Sequence, residues 1–219
     1  MFRKFAVSLA LVGLLASPAV ARADGGGSAT KLSFIHSNMG PGAGNGTISM
    51  GGRIYFIVPT FDLGYKYGIL DNLDFELHLS TLGILNMLET GVQARLMGDS
   101  GFSLGVRGDI AIQAVFLAVG DGAAGGVGFG LVPGVIASFG SDSFQLTLAA
   151  DFPLSLAGAA SVSGAGSGAA TGFGATLRPS VTAEFGVGVE TTMYVQFQAL
   201  VALTGSGVFA PIIAIGASW

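Results

Sequence analysis

The stretch "LDFELHLS", residues 73–80, alternates without a break. Leu73, Phe75, Leu77 and Leu79 fall on one side, and Asp74, Glu76, His78 and Ser80 on the other. A period of two is that of a β-strand with one apolar and one ionic face. In a soluble sheet the apolar face packs into a core. In a membrane barrel it meets lipid, and the ionic face lines the inside.

Composition favours the second arrangement. The 219 residues are 51% hydrophobic and only 10% charged, with 37 Gly. Soluble domains average about 25% charged residues and about 7% Gly, so these charges would hardly cover a water-facing surface. A net charge of -4 gives no electrostatic footprint for nucleic acid. There is no Cys, which excludes a disulfide framework and a lipid-modified cysteine.

The N-terminus has the layout of a secretory signal peptide. Arg3 and Lys4 precede an apolar run, Ala6 to Ala16, and Ala21-Arg22-Ala23 gives a small-x-small cleavage site before Asp24. The expected organisation is therefore a signal peptide over 1–23, a Gly-rich segment over 24–46 and a β-domain over 47–219. The middle segment, with "KLSFIHS" at 31–37, is read as periplasmic, as a plug or as an added strand.

The hydrophobicity is not helical. The longest charge-free tract, Thr191 to Trp219, is interrupted at Thr204-Gly205-Ser206-Gly207, so neither half has the roughly 20 apolar residues a helix needs to span a bilayer. Frequent Gly, together with Pro133, Pro153, Pro179 and Pro211, weakens the helical reading further. A closed barrel is the remaining spanning solution, since lipid cannot satisfy an open strand edge. Strands are expected near 47–58, 60–69, 72–82, 88–97, 101–116, 127–139, 143–157, 171–185, 191–203 and 208–219. The charged positions keep to one face. Arg53 opposes Ile54, Asp62 and Lys66 oppose Phe61 and Tyr65, and Arg178 and Glu184 oppose Leu177 and Phe185.

Short polar turns are expected at 70–72, 98–101, 140–143 and 186–190. Between them lie short links near Pro59, Leu82 to Met87 and Thr204 to Gly207, and longer ones at Gly120 to Gly126 and Gly158 to Ala170. The last of these, within "GAASVSGAGSGAATG", reads as a flexible small-residue loop. Tyr65, Tyr67, Phe102, Phe139, Phe144, Phe185 and Trp219 all fall beside the short turns, the arrangement of an interfacial aromatic girdle.

With these features the chain resembles the outer-membrane β-barrels of Gram-negative bacteria. Its end, "FAPIIAIGASW", looks like the terminal-strand signal read by the barrel-assembly machinery. Phe209, Ile213, Ile215 and Trp219 carry that pattern, and Pro211 departs from it. "YKYGILDNLDFELHLS" resembles a hairpin common in the class. The resemblance implies an all-β, antiparallel up-and-down transmembrane barrel in the outer membrane, and a class rather than a function. About ten strands are expected, with eight or twelve as alternatives.

Such a barrel would be lined by Arg53, Asp62, Lys66, Asp74, Glu76, His78, Glu89, Gln93, Arg95, Arg107, Asp109, Gln113, Asp151, Arg178, Glu184, Gln196 and Gln198. Hairpin registers bring Lys66 opposite Asp74 and Glu76, Glu76 near Gln93 and Arg95, Gln93 near Arg107, Arg53 near Asp62, and Arg178 opposite Gln198. Charges of both signs within such reach form a satisfied network more readily than a selectivity ring. Strand 127–139 presents Gly128, Gly130 and Gly134 inward, and the last strand presents Ala210, Ala214 and Gly216. Charged bulk thus sits on one wall and small residues on the other, which would leave a thin polar conduit unless residues 24–46 fill it.

Catalytic chemistry has little support. His78 shares a face with Asp74, Glu76 and Ser80, but residues two apart on a strand are about 7 Å from each other, too far for a direct relay. Two His and scattered carboxylates lack metal-ligand spacing. "GDGAAG" at 120–125 matches a phosphate-loop pattern but precedes no helix, so it reads as chance. The expected protein is not an enzyme and carries no cofactor. The leading functional expectation is a narrow pore or passive conduit for small solutes. The alternative is a closed barrel acting as membrane scaffold, adhesin or partner-binding component.

Overall fold

The computed structural model describes residues 34–38, 40–55, 58–81, 85–98, 101–119, 122–163, 166–187, 190–204 and 209–219. The stretch read as a signal peptide, and residues 24–33, lie outside these. The strands are β1 (Gly46–Tyr55), β2 (Val58–Leu70), β3 (Leu73–Thr81), β4 (Leu85–Gly98), β5 (Phe102–Val119), β6 (Gly122–Ser141), β7 (Phe144–Asp151), β8 (Leu154–Ser163), β9 (Gly166–Gly186), β10 (Thr192–Ala202) and β11 (Phe209–Ser218). All neighbours are antiparallel, and β1 pairs with β11 from Ser49↔Ser218 to Tyr55↔Ile212, which closes the sheet on itself.

The result is a closed ten-strand barrel with one additional strand segment. β7 and β8 form a single stave. β6 meets β7 at Gly134↔Asp151 and β8 at Leu131↔Leu154, and the register carries straight through Phe152 and Pro153. Pro153 has no N–H to donate, which breaks the ladder without bending it away. Its carbonyl still accepts from Thr176 N at 3.0 Å, and Phe152 N donates to Pro133 O at 2.8 Å.

A row of opposed residues followed once round the wall leaves β9 at Phe173 and returns to it at Phe185, a displacement of 12 residues (185 minus 173). Ten staves with that stagger tilt by roughly 40° and enclose a backbone radius of about 10 Å. That interior is only wide enough for side chains and one thin insert.

Burial follows the alternation. In β3, Asp74, Glu76 and Ser80 are buried, whereas Phe75 and Leu77 stand half-buried on the outside. In β11, Ala210, Ile212 and Ala214 are buried between exposed Phe209, Ile213 and Ile215. The seven aromatics beside the short turns are all exposed, and Phe102 and Phe139 face each other across a β5–β6 pair with ring centroids 5.0 Å apart. The apolar face of "LDFELHLS" is thus the outer one.

The two longer expected links are in fact strand, and Pro59 and residues 85–87 of the shorter ones belong to β2 and β4. Gly158 to Ala170 belongs to the β8–β9 hairpin except for residues 164 and 165, which are not described. Of the link at Gly120 to Gly126, residues 122–126 belong to β6. Small residues gave no alternation to read, yet the ladder uses only backbone groups and accepts them. The four strands β5, β6, β8 and β9 therefore rise past the others: β6 and β9 have 20 and 21 residues, against 10 in β1 and β11. At this tilt the excess lifts one side of the barrel by roughly 20–25 Å. This lip stands at the end opposite the short turns.

Candidate functional site in the barrel interior

The interior is layered. Nearest the short turns, residues 34–38 run inside the wall as a plug. Phe34 and Ile35 are 2% and 1% exposed, and Ser37 and Asn38 are equally enclosed. An irregular segment inside a barrel must have its peptide groups satisfied by side chains, and this one does. Lys66 Nζ donates to Ser37 O at 2.7 Å and Ile35 O at 3.3 Å, and Gln93 Nε2 donates to Ser37 O at 3.1 Å. In return His36 N donates to Glu184 Oε1 at 3.2 Å and Asn38 N to Ser138 Oγ at 2.9 Å.

The wall makes room for the plug at two glycines. A Cβ on Gly64 would lie 3.0 Å from Ile35 Cδ1, and one on Gly105 would lie 2.6 Å from Asn38 Oδ1. Glycine inside a strand commonly marks such a close approach. The His36 ring sits edge-on to Tyr194 at 4.5 Å and stacks 6.1 Å from His78.

Lys66 is fully enclosed, with Glu76 at 2.9 Å and Asp74 at 3.7 Å. Above it lies a layer of charge. Arg53 pairs with Asp62 at 2.7 Å, and Ser80 Oγ donates to the same Asp62. Arg107 holds Asp151 through two bonds, one of them Nε to Oδ1 at 2.7 Å. Arg178 Nε reaches Asp151 Oδ2 at 3.1 Å, and its two terminal nitrogens reach Glu89 at 2.6 and 3.2 Å. Glu89 belongs to β4 and Arg178 to β9, four staves apart, so this pair bridges the interior. Buried charges are tolerated when paired and hydrogen-bonded in this way.

Beyond the charge layer the interior opens into a cup of about 200 Å3, floored by Glu89 and Arg178 and walled by Tyr55, Met87, Gln198 and Ile212 among others.

The remaining expected lining residues have distinct places. Gln196 donates to Thr182 Oγ1 at 3.0 Å, and Asp109 is buried against Gly91. Gln113 is exposed beside Met87, with its amide 3.7 Å from the sulfur. Arg95 lies beside the short turn near the end of β4, where it donates to Asp71 O at 2.8 Å. Lys66↔Glu76 and Gln93↔Arg107 are directly opposed, but two expected contacts are displaced. Glu76 sits opposite Gly91, with Gln93 opposite Asp74, and Gln198 sits opposite Ser180 rather than Arg178. His78 lies deep in the barrel against His36, away from either rim. Among the described residues, no group of three His, Cys, Asp or Glu could hold a metal ion. Phe209, Ile213, Ile215 and Trp219 are exposed on the outer face. Tyr194 and Asn38 carry no signal in the sequence, whereas residues 34–37 fall within the "KLSFIHS" stretch for which a plug was one of the expected alternatives.

No protein-family model matches the chain, and no curated protein sequence does. Solved structures do. The outer membrane protease OmpT from Escherichia coli superposes with a TM-score of 0.52 at 9% identity, covering 80% of this chain and 93% of that one. The N-terminal β-barrel domain of Pseudomonas aeruginosa OprF covers 81% and 99% at 10% identity, with a TM-score of 0.41. Ail, the attachment invasion locus protein of Yersinia pestis, covers the same shares at 12% identity and 0.39. The fold is that of the Gram-negative outer-membrane β-barrels.

Proposed function

We propose that the chain is an outer-membrane barrel, closed at rest, that serves as a membrane-seated scaffold or partner-binding component rather than as a standing pore. The observation carrying this reading is the filled interior: the plug at 34–38, with the Arg178–Glu89 bridge above it. Conduction needs a continuous polar path whose sites bind weakly enough to release, and a plug bonded to four staves supplies neither.

The apolar exterior and the signal-like N-terminus support a place in the outer membrane of a Gram-negative bacterium, with its lipids as the surrounding partner. Delivery there would use the barrel-assembly machinery, for which Phe209, Ile213, Ile215 and Trp219 are the proposed signal. No catalytic role is assigned: His78 stacks on the His36 ring, and the acid opposite it, Glu89, has both carboxylate oxygens bonded to Arg178.

The test is conductance in planar lipid bilayers of the chain from Asp24 onward. Silent insertion is the expected result. Steady unitary currents from that full chain would overturn the closed reading and restore the conduit. A second protein lacking residues 24–46 separates the two barriers. Currents only after the deletion would make the plug the stopper, and continued silence would assign closure to the charge layer as well.

A further inference from the structure

The cup above the charge layer ends on an ion pair that is already complete. Its charged lining residues, among those described, are Glu89 and Arg178, bonded to each other through both carboxylate oxygens. The wall above them is neutral without being apolar. Tyr55, Gln113, Ser155 and Thr176 line it from β1, β5, β8 and β9. Each lies an even number of residues from a buried inward charge: Tyr55 from Arg53, Gln113 from Asp109, Ser155 from Asp151 and Thr176 from Arg178. The period of two therefore turns all four inward. None is enclosed: Gln113 is exposed, and the other three are half-buried.

Their hydrogen-bonding capacity is largely unused among the described residues. The Gln113 amide stands 3.7 Å from the Met87 sulfur, and the Ser155 hydroxyl 3.5 Å from Gly174 O, both long contacts. Tyr55 Oη accepts from Arg53 at 3.1 Å, which leaves its own proton to donate. Between these groups Met87 and Leu200 give the wall apolar strips.

That lining selects by chemistry. An ion would leave water for a neutral wall above a pair with no charge left over, and its desolvation would go uncompensated. A hydrocarbon would cover two hydroxyls, a phenol and a carboxamide without replacing their hydrogen bonds to water. A molecule with several hydroxyls both donates and accepts, and its C–H faces suit the apolar strips. The cup's volume of about 200 Å3 lies below the roughly 300 Å3 at which drug-sized pockets begin, so one small ring fits and a chain does not.

We infer that the cup is a binding site for a neutral monosaccharide-sized polyol, free or at the end of a glycan, held by Tyr55, Gln113, Ser155 and Thr176. This rests on the closed-barrel reading, because a dead-ended cup retains such a molecule and an open interior would pass it on.

The test uses the chain from Asp24 onward in phosphatidylcholine nanodiscs, which carry no sugar, with 13C-labelled methionine methyls. D-glucose, D-galactose and D-mannose are the probes, each at tens of millimolar. Met87 lines the cup, whereas Met97 and Met193 are exposed elsewhere. The expected result is a saturable shift of the Met87 methyl signal by at least one hexose, not shared by Met97 or Met193. Thr176→Val, which is nearly isosteric, and Gln113→Leu each weaken binding about three- to tenfold, the loss of one hydrogen bond. Gly128→Leu fills the cup and abolishes binding. A Cβ on Gly128 meets nothing nearer than 3.7 Å, so the wall accepts that change.

The corresponding uronate and amino sugar bind more weakly than the neutral hexose. A disaccharide of that hexose separates the two sources: equal affinity admits the end of a glycan, and lost affinity confines the site to the free sugar. A Met87 signal unmoved by all three hexoses overturns the inference, as does binding unchanged in Gly128→Leu or tighter binding of either charged sugar. Should Gly128→Leu fail to fold, binding unchanged in both Thr176→Val and Gln113→Leu overturns it instead. Silent bilayers with an unmoved Met87 signal sink this inference only, whereas unitary currents sink the closed reading beneath it.

Discussion

Arg178 on β9 donates to both carboxylate oxygens of Glu89 on β4, at 2.6 and 3.2 Å, across 89 residues of chain and across the interior of the barrel. The same guanidinium also serves Asp151, so one side chain ties three staves together. Truncating it as Arg178→Met leaves two enclosed carboxylates without their shared cation. The expected loss is about 3–5 kcal/mol, the range for breaking a buried ion pair from one side. Urea unfolding from lipid vesicles measures it. A loss below about 1 kcal/mol, the range of a surface pair, would mean that water reaches the site freely.

Lys66 holds the plug by two main-chain carbonyls, so Lys66→Met should loosen residues 34–38 while leaving the wall in place. The chain has no native cysteine, which allows Ser37→Cys to act as a clean reporter. Thiol labelling of that cysteine should be slow in the otherwise unchanged protein and at least about tenfold faster with Lys66→Met, since a tenfold change needs only about 1.4 kcal/mol of plug stability. Equal labelling rates would show that Lys66 does not retain the plug.

Gly105 meets Asn38 closely enough that a larger side chain must displace it. Gly105→Leu should therefore destabilise by about 1–3 kcal/mol, the usual cost of overpacking. A Cβ there would also lie 2.5 Å from the Ala94 carbonyl of β4, so deleting residues 24–46 should relieve only the part of the penalty owed to Asn38. A penalty unchanged by the deletion would locate all of the strain in the wall.

Depth on the outer face can be read with charge. Val181 lies near mid-height of the barrel and Phe173 on the lip, both pointing outward and exposed. Val181→Arg should cost about 2–4 kcal/mol and Phe173→Arg about 0–1, the difference between the bilayer centre and its edge. Equal costs would place the lip within the hydrocarbon too. Amide exchange gives an independent check on the lip, because the paired backbone from Leu154 to Ala160 should exchange slowly, as ladder amides do and loop amides do not.

Where charge or bulk alternated, the strands could be read from the chain alone. Asp74 and Glu76 against Phe75 and Leu77 marked β3, and the inward arginines marked β5 and β9. Where both faces are small, as in Gly158 to Ala170, the period-two signal vanishes and composition pointed to a loop. The pairing there is decided by backbone hydrogen bonds, which leave no trace in residue type. The interior was legible as a set of residues more than as contacts. Lys66↔Glu76 follows from one tight hairpin, whereas Arg178–Glu89 joins strands that no single turn relates. For residues 24–46 the chain offered a plug only as one of three alternatives. The peptide groups of 34–38 are bonded by side chains from β2, β4, β6 and β9, and a short non-periodic segment carries no mark of such partners.

The meeting of β1 and β11 bears on how the molecule is made. Ser49 and Ser218 are opposed near the two ends of the chain, so the wall cannot be completed until the final strand is available. Contacts of such sequence separation form slowly. Residues 34–38 lie immediately ahead of the first strand, and their anchors, Lys66 on β2 and Glu184 on β9, come from opposite sides of that seam. Sealing it around an occupied interior would make the plug an early passenger, enclosed by the last and slowest step of folding.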